Sequence, residues 1–172
     1  MFPWQINLPL AIGEFALPFI PFFLLIAGMQ MGPDLIARVR DVLGLSVVSV
    51  RGLKPLSDPD LIYVGRRAGG WNVSPLGNPF HIGTDGDRPQ VIEKYRHWLR
   101  GEVRRGNTSP AAREVTRVAT LIRQYPDRKI KIGCWCAPDA CHGDVVANAI
   151  AYEYVRDLSP EEIERQFGTR EK

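Results

Sequence analysis

The chain predicts an α/β domain, a small parallel or mixed sheet flanked by helices, preceded by an N-terminal hydrophobic arm. Three observations predict it. Short runs rich in Val, Ile and Tyr alternate with stretches of helical period. The connections between those runs are long enough for parallel crossovers. The length of 172 residues, 45% apolar and 24% charged, suffices for one ordinary domain and crowds two.

Residues 1–32 form the arm. Between Ile6 and Met31 only Glu14 is charged, and the stretch from Leu8 to Met29 reaches the roughly 20 apolar residues that a helix needs to span a bilayer. Pro9, Pro18 and Pro21 disfavour a regular helix there. No Lys or Arg precedes Arg38, so the basic n-region of a secretory signal is missing. Three readings stand open: a membrane anchor, a buried or dimer-forming arm, and translation from the wrong start, with Met29 and Met31 as the other methionines. If the arm spans, Arg38, Arg40 and Arg51 behind it keep the rest of the chain cytoplasmic, attached to the membrane through residues 8–29.

Residues 33–45 read as a linking helix, opened by Pro33, closed by Gly44, with Leu35, Ile36, Val39, Val42 and Leu43 at helical spacing. The α/β domain proper is residues 46–158. Ser46 to Arg51 and Leu61 to Gly65 read as strands, separated by the turn-forming Pro55, Ser57, Asp58 and Pro59. Arg66 to Asp87 is rich in Gly, Asn and Pro, and so long an irregular stretch belongs at a binding end. Pro89 sets the first turn of a helix that buries Val91, Ile92, Tyr95, Trp98 and Leu99. Ser109 and Pro110 open the next, with Val115, Val118, Ala119 and Ile122 as its apolar stripe. Lys129 to Cys134 alternates as a strand, and Val145, Val146, Ala149 and Ile150 mark a helix after Pro138. Residues 159–172 are a short helix and tail at the surface, begun by the capping box of Ser159 and Glu162.

The formal charge of +3 is unevenly spread. From Arg96 to Lys131 ten Lys or Arg face Glu102, Glu114 and Asp127, whereas from Glu153 onward acids outnumber bases. A solvated helix face explains this, and a surface for phosphate groups is the sharper alternative.

All three cysteines fall within eight residues, Cys134-Trp135-Cys136 and then Cys141-His142, where a strand runs into a helix. An odd thiol count without an export signal argues against a disulfide framework. Asp139 is placed to cap the helix, with Cys141 and His142 in its first turn. A thiol there feels the unpaired N–H groups, which favour thiolate and attract a ligand anion. Cys141 is then a nucleophile, with His142 or His81 as acid or base. Consecutive helical side chains diverge by about 100°, so a base from elsewhere serves Cys141 better than His142 does. Metal binding competes: Cys134, Cys136, Cys141 and His142 make a complete zinc set by residue type, against a spacing that hinders Cys141 and His142 from meeting one ion. The third reading leaves Cys134 and Cys136 as core residues and His142 hydrogen-bonded locally.

Two segments together resemble a family. Tyr63-Val64-Gly65-Arg66 with Gly77-Asn78-Pro79-Phe80 and Arg88 is one half; Cys134-Trp135-Cys136, Pro138 and Cys141-His142-Gly143-Asp144-Val145 is the other. From about Val47 to Tyr154 the chain resembles the phage- and bacterium-associated domain of unknown function family 4326. The resemblance implies kinship rather than a reaction, and its phage association implies a role around nucleotides, nucleic acids or host takeover. It also implies one site built from Arg66, Asn78, Arg88, Cys136, Cys141, His142 and Asp144. The expectation is an enzyme or ligand-binding protein with Cys141, His142 and Asp144 as catalytic residues. Arg66, Asn78 and Arg88 hold a phosphate-bearing or nucleotide-like substrate, although Asn78 before Pro79 equally suits a turn. The alternative is a non-catalytic nucleic-acid-associated module with a metal-stabilised Cys/His loop, zinc being the metal these donors suit. The amino terminus of the natural protein, read by mass spectrometry, separates the three accounts of the arm: a start at Met29 or Met31 removes the first two.

Overall fold

The computed structural model describes residues 25–26, 29–55 and 57–168. Most of the arm, including nearly all of the 8–29 stretch, and the tail 169–172 lie outside the described residues. Among those described, no helix is long and apolar enough to cross a membrane. The elements run β1 (Leu25–Ile26), β2 (Met29–Gln30), α1 (Pro33–Leu43), β3 (Ser46–Ser49), β4 (Leu61–Tyr63), α2 (Arg88–Arg104), α3 (Pro110–Gln124), β5 (Lys131–Cys134), α4 (His142–Val155) and α5 (Pro160–Phe167). The first two strands pair antiparallel with each other.

The domain is α/β, its sheet three parallel strands in the order β3-β5-β4. Ser46 and Leu61 both stand level with Lys131, so all three strands point the same way and end at one rim. The strands are shorter than the apolar runs that signal them. Val50 and Val64 nevertheless extend the ladder through N–H bonds to the carbonyls of Cys134 (3.3 Å) and Gly133 (3.0 Å).

The first crossover runs from β3 at one edge to β4 at the other, and the second from β4 back to β5 in the centre. Parallel crossovers are right-handed in nearly all proteins, and two that step in opposite directions must lie on opposite faces. Ile132 and Cys134 face α4, so the alternation of β5 turns Lys131 and Gly133 to the other face. There the crossover from β3 to β4, with no helix among its described residues, meets them: Lys131 Nζ bonds Asp58 Oδ2 at 2.8 Å, and its ammonium holds the Asp58 carboxyl below the usual range. Val50 is fully buried. A Cβ on Gly133 would stand 2.7 Å from Val50 Cγ1 and 3.1 Å from Leu61 Cδ1, so this mid-sheet position has no room for a side chain.

The helices begin where their caps allow. Ser109 Oγ accepts the Ala112 N–H at 3.2 Å, and Ser159 and Glu162 form the expected capping box. Asp87 and Gln90 form another ahead of α2. Gly44 ends α1 at φ +65°, a conformation other residues adopt at a cost.

α4 is the central helix. It buries Val145, Val146, Ala147, Ile150, Ala151 and Val155, more of its circumference than the expected stripe, because α1, α2, α3 and the sheet surround it. The terminal helix, expected as a surface element, instead docks on the core: Ile163 and Phe167 are buried, and Phe167 meets the Tyr154 ring edge-on at 6.1 Å. Its alternation of apolar and charged residues is a buried stripe at helical period.

Gly133→Ala should destabilise the domain by about 1–3 kcal/mol through overpacking, read as a lower midpoint in urea. An unchanged midpoint would show that Val50 and Leu61 yield freely.

Candidate functional site

At the rim where the strands end, β4 runs into the 65–87 loop and β5 into the 135–141 turn, the position at which open parallel sheets bind ligands. These two segments and the first turns of α2 enclose a cavity of about 250 Å³. The glycine-rich stretch and the cysteine turn therefore share one cleft.

Aromatic contacts tie the two segments together. Trp71 stacks on Tyr63 with centroids 4.7 Å apart. The Tyr63 hydroxyl donates to the Arg66 carbonyl and accepts from Trp135 Nε1 at 2.9 Å. Gly69, at φ +55°, lies over Trp135 so closely that a Cβ would stand 2.7 Å from the ring. Asn78 Oδ1 accepts the Phe80 N–H at 2.8 Å across Pro79, the turn-securing role that Asn before Pro allows, while the residue also lines the cavity. Behind it Tyr95, fully buried, donates to the Leu76 carbonyl at 2.7 Å.

Three arginines line the cavity, Arg66, Arg67 and Arg88. Arg66 Nη1 donates to the Phe80 carbonyl and Arg88 Nη1 to the Ala140 carbonyl, both at 3.3 Å. Arg88 also lies 3.6 Å from Asp139. Each guanidinium has five N–H donors, so these contacts hold Arg66 and Arg88 and leave donors for a ligand. Phe80, Ile82, Val91, Ile92 and Trp135 give the same cavity an apolar wall.

The thiols and imidazole form the remaining wall. Cys141 is itself the N-cap of α4, in extended backbone geometry, and Asp139, expected there, pairs with Arg88 instead. Its Sγ accepts the Gly143 N–H at 3.3 Å, and the Asp144 carboxylate accepts the Cys141 N–H at 3.5 Å. The Cys134 thiol as donor, with help from the Gly143 and Asp144 N–H groups, lowers the Cys141 thiol to about 7, against burial and the Asp144 charge. Cys134, as the partner that keeps its proton and is buried, is pushed up.

His142 Nε2 lies 2.7 Å from the Val64 carbonyl, and a carbonyl only accepts, so Nε2 carries the proton. Nδ1 is then an acceptor facing Cys134 Sγ at 3.8 Å. Burial lowers the imidazole below its ordinary value, and the ring stands edge-on to Tyr95 at 5.1 Å. At neutral pH it is an uncharged group that contacts Cys134 rather than Cys141.

Of the expected site residues, Arg66, Asn78, Arg88, Cys134, Cys136, Cys141 and His142 all line the cavity. Asp144 does not: beyond its capping bond it meets Arg40 of α1 at 3.4 Å. His81, weighed as an acid or base, is exposed with its N–H on Asp85, outside the cavity lining. The zinc set is not assembled: among the described residues no group of three or more His, Cys, Asp or Glu is placed to hold an ion. The physical reason is that one His142 nitrogen is bound to Val64 and the other faces a single thiol. Sequence reasoning missed Arg67, Ile82 and Trp135 as lining residues; their signal was adjacency to Arg66, His81 and the two flanking cysteines.

The basic stretch is largely engaged within the fold. Arg105 pairs with Glu102, Arg117 with Glu114, Arg128 with Asp60, and Arg123 donates to the carbonyls of Glu153 and Tyr154.

Alkylation of Cys141 by iodoacetamide should rise with pH about a midpoint near 7, rather than the 8.5 or so of a free thiol. Cys134→Ala, which removes the donor, should move the midpoint upward. Because the folded value lies below the unfolded one, the stability this thiolate adds is full above the unfolded pKa and is lost as pH falls through about 7. A midpoint unmoved by Cys134→Ala would discard the role given to that bond.

A family model described as Domain of unknown function (DUF4326) matches residues 50–152, more than half of the chain, and the chain belongs to that family. The matched residues run from the end of β3 to the last turn of α4 and contain both halves of the cavity. No curated protein and no solved structure matches the chain.

Proposed function

We propose that this member of the DUF4326 family binds a small phosphate-bearing, nucleotide-like substrate in the cleft at the sheet rim and acts on it through the thiolate of Cys141. What carries the reading is a cysteine, its thiol lowered to about 7, that lines one cavity with Arg66, Arg67 and Arg88. The arginines suit an anion, since each offers a planar fork of donors to phosphate oxygens. The apolar wall of Phe80, Ile82 and Trp135 suits a planar ring. A ligand with both parts fills such a site better than inorganic phosphate does.

In this reading Cys141 is the catalytic nucleophile. Its Sγ attacks an electrophilic centre of the bound molecule, a bond to sulfur forms and the leaving group departs with the bonding electron pair. Arg66, Arg67 and Arg88 bind the anionic group. Asp144 and Cys134 are positioning residues: Asp144 holds the Cys141 backbone in cap geometry, and Cys134 holds its sulfur as thiolate. His142 fixes Cys134 through Nδ1. The nucleic-acid-associated alternative draws less support, because Arg105, Arg117 and Arg128 of the basic stretch are charge-paired with Glu102, Glu114 and Asp60.

Titration calorimetry of the full chain with nucleoside mono- and diphosphates tests the reading. One of them should bind, and Arg66→Gln or Arg88→Gln should each weaken binding roughly 10- to 100-fold, the worth of about 1.5–3 kcal/mol for a charged hydrogen bond. Cys141→Ser should keep the affinity and lose turnover of the bound compound. Binding indifferent to both arginines, or no binding across the panel, would rule the reading out.

A further inference from the structure

The chemistry proposed for Cys141 leaves two thiols at the same cavity, and one of them is placed for more than supporting its neighbour. Cys134 ends β5 and Cys141 begins α4, and both are buried at the cavity wall. The gap between them is set by Gly143. A Cβ built on that residue would stand 3.2 Å from Cys141 Sγ and 3.6 Å from Cys134 Cβ, so the missing side chain lets the two cysteines share the space. The Cys134 thiol faces His142 Nδ1 at 3.8 Å, and Cys141 Sγ accepts the Gly143 N–H at 3.3 Å. Cys136 reaches Cys134 through its backbone N–H, and no hydrogen bond joins its thiol to either sulfur among the described residues. A disulfide requires the backbone to hold the two Cβ atoms roughly 3.5–4.5 Å apart, after which rotation about Cα–Cβ brings the sulfurs to bonding distance.

We infer that Cys134 and Cys141 are a dithiol that hydrogen peroxide converts to a reversible disulfide within the cavity. Cys141 Sγ, as thiolate, attacks one peroxide oxygen. The S–O bond forms, the O–O bond breaks, and hydroxide leaves and takes up a proton as water, giving a sulfenic acid. Cys134 then attacks that sulfur. Its S–H proton passes to His142 Nδ1 and on to the departing hydroxide, the S–S bond forms, the S–O bond breaks, and a second water leaves. The two thiols together lose two electrons and two protons, and one peroxide becomes two waters. A small dithiol such as dithiothreitol reverses the change by exchange. Oxidation removes the thiolate and takes Cys134 away from His142. The consequence that the oxidised cleft no longer acts on its ligand rests on the function proposed above, whereas formation of the bond does not.

The test uses the full chain, treated with a slight excess of hydrogen peroxide at neutral pH, quenched with N-ethylmaleimide under denaturing conditions and weighed intact. Fragmentation of the tryptic peptide from Ile132 to Arg156, which contains all three cysteines, locates the bond. The wild type should lose the mass of two hydrogens, keep one alkylatable thiol at Cys136 and recover fully with dithiothreitol. Cys136→Ser should behave alike, and Cys134→Ser and Cys141→Ser should form no intramolecular bond. A bond mapped to Cys136, or oxidation of Cys141 to sulfinic acid with Cys134 still free in the wild type, would overturn the inference without needing either variant to fold. Calorimetry on both forms separates the two claims. Reduced protein that ignores every nucleoside phosphate defeats the proposed function alone. Reduced protein that binds and turns over a ligand, with oxidised protein doing so equally, defeats the regulatory consequence alone.

Discussion

The closeness of α4 to the ends of β3 and β5 is the constraint on which the site depends. Gly143, in the first turn of α4, stands where any Cβ would come within 2.8 Å of Val47 Cγ1. With no side chain there, the helix start drops onto the sheet and brings Cys141 Sγ, the His142 ring and Cys134 together. The chemistry of each then follows from what it touches. Cys141 meets N–H groups and a thiol donor and favours its anion; Cys134 meets that anion and keeps its proton; His142 is buried against a carbonyl and stays neutral. Moving α4 outward by the width of a methyl group would separate these partners.

The division of charge in the cleft follows the same logic. Positive charge comes from Arg66 and Arg67, both exposed, and the half-buried Arg88. The interior groups are neutral or anionic. An anionic ligand entering such a cleft gives up water to guanidinium donors at its mouth and meets little desolvated charge below, apart from the thiolate.

Much of this was legible in the sequence, and the legible parts share a cause. Ser109-Pro110, Ser159 with Glu162, and Pro33 with Gly44 announce helix ends because capping is local: the partners lie within four residues. The family resemblance joined the two halves of the cleft for the same reason that neither half could do so alone, since Tyr63 and Trp135 are far apart in the chain and bond only when folded. What was not legible depends on orientation. Asp139 and Cys141 can both cap a helix by type, and only the path of the turn gives the position to the thiol. Asp144 carries the right chemistry for a catalytic acid, but its place in the helix turns it towards Arg40. Ile163 and Phe167 lie in a short, charged segment, and their burial depends on the groove that α1 and the core present to them.

The strand order has a consequence for how the molecule comes into being. Among the described residues β3 and β4 each pair only with β5, which sits between them and is the last of the three in the chain. As the polypeptide leaves the ribosome, β3 and β4 therefore wait for Lys131 and its successors to emerge, and α1, α2 and α3 precede the strand that completes the sheet beneath them. Such late closure over long sequence separation slows folding. It also means that a nascent chain cut short before β5 carries two unpaired, apolar strand segments and half a cleft, a product for quality control to remove rather than a smaller working version of the protein.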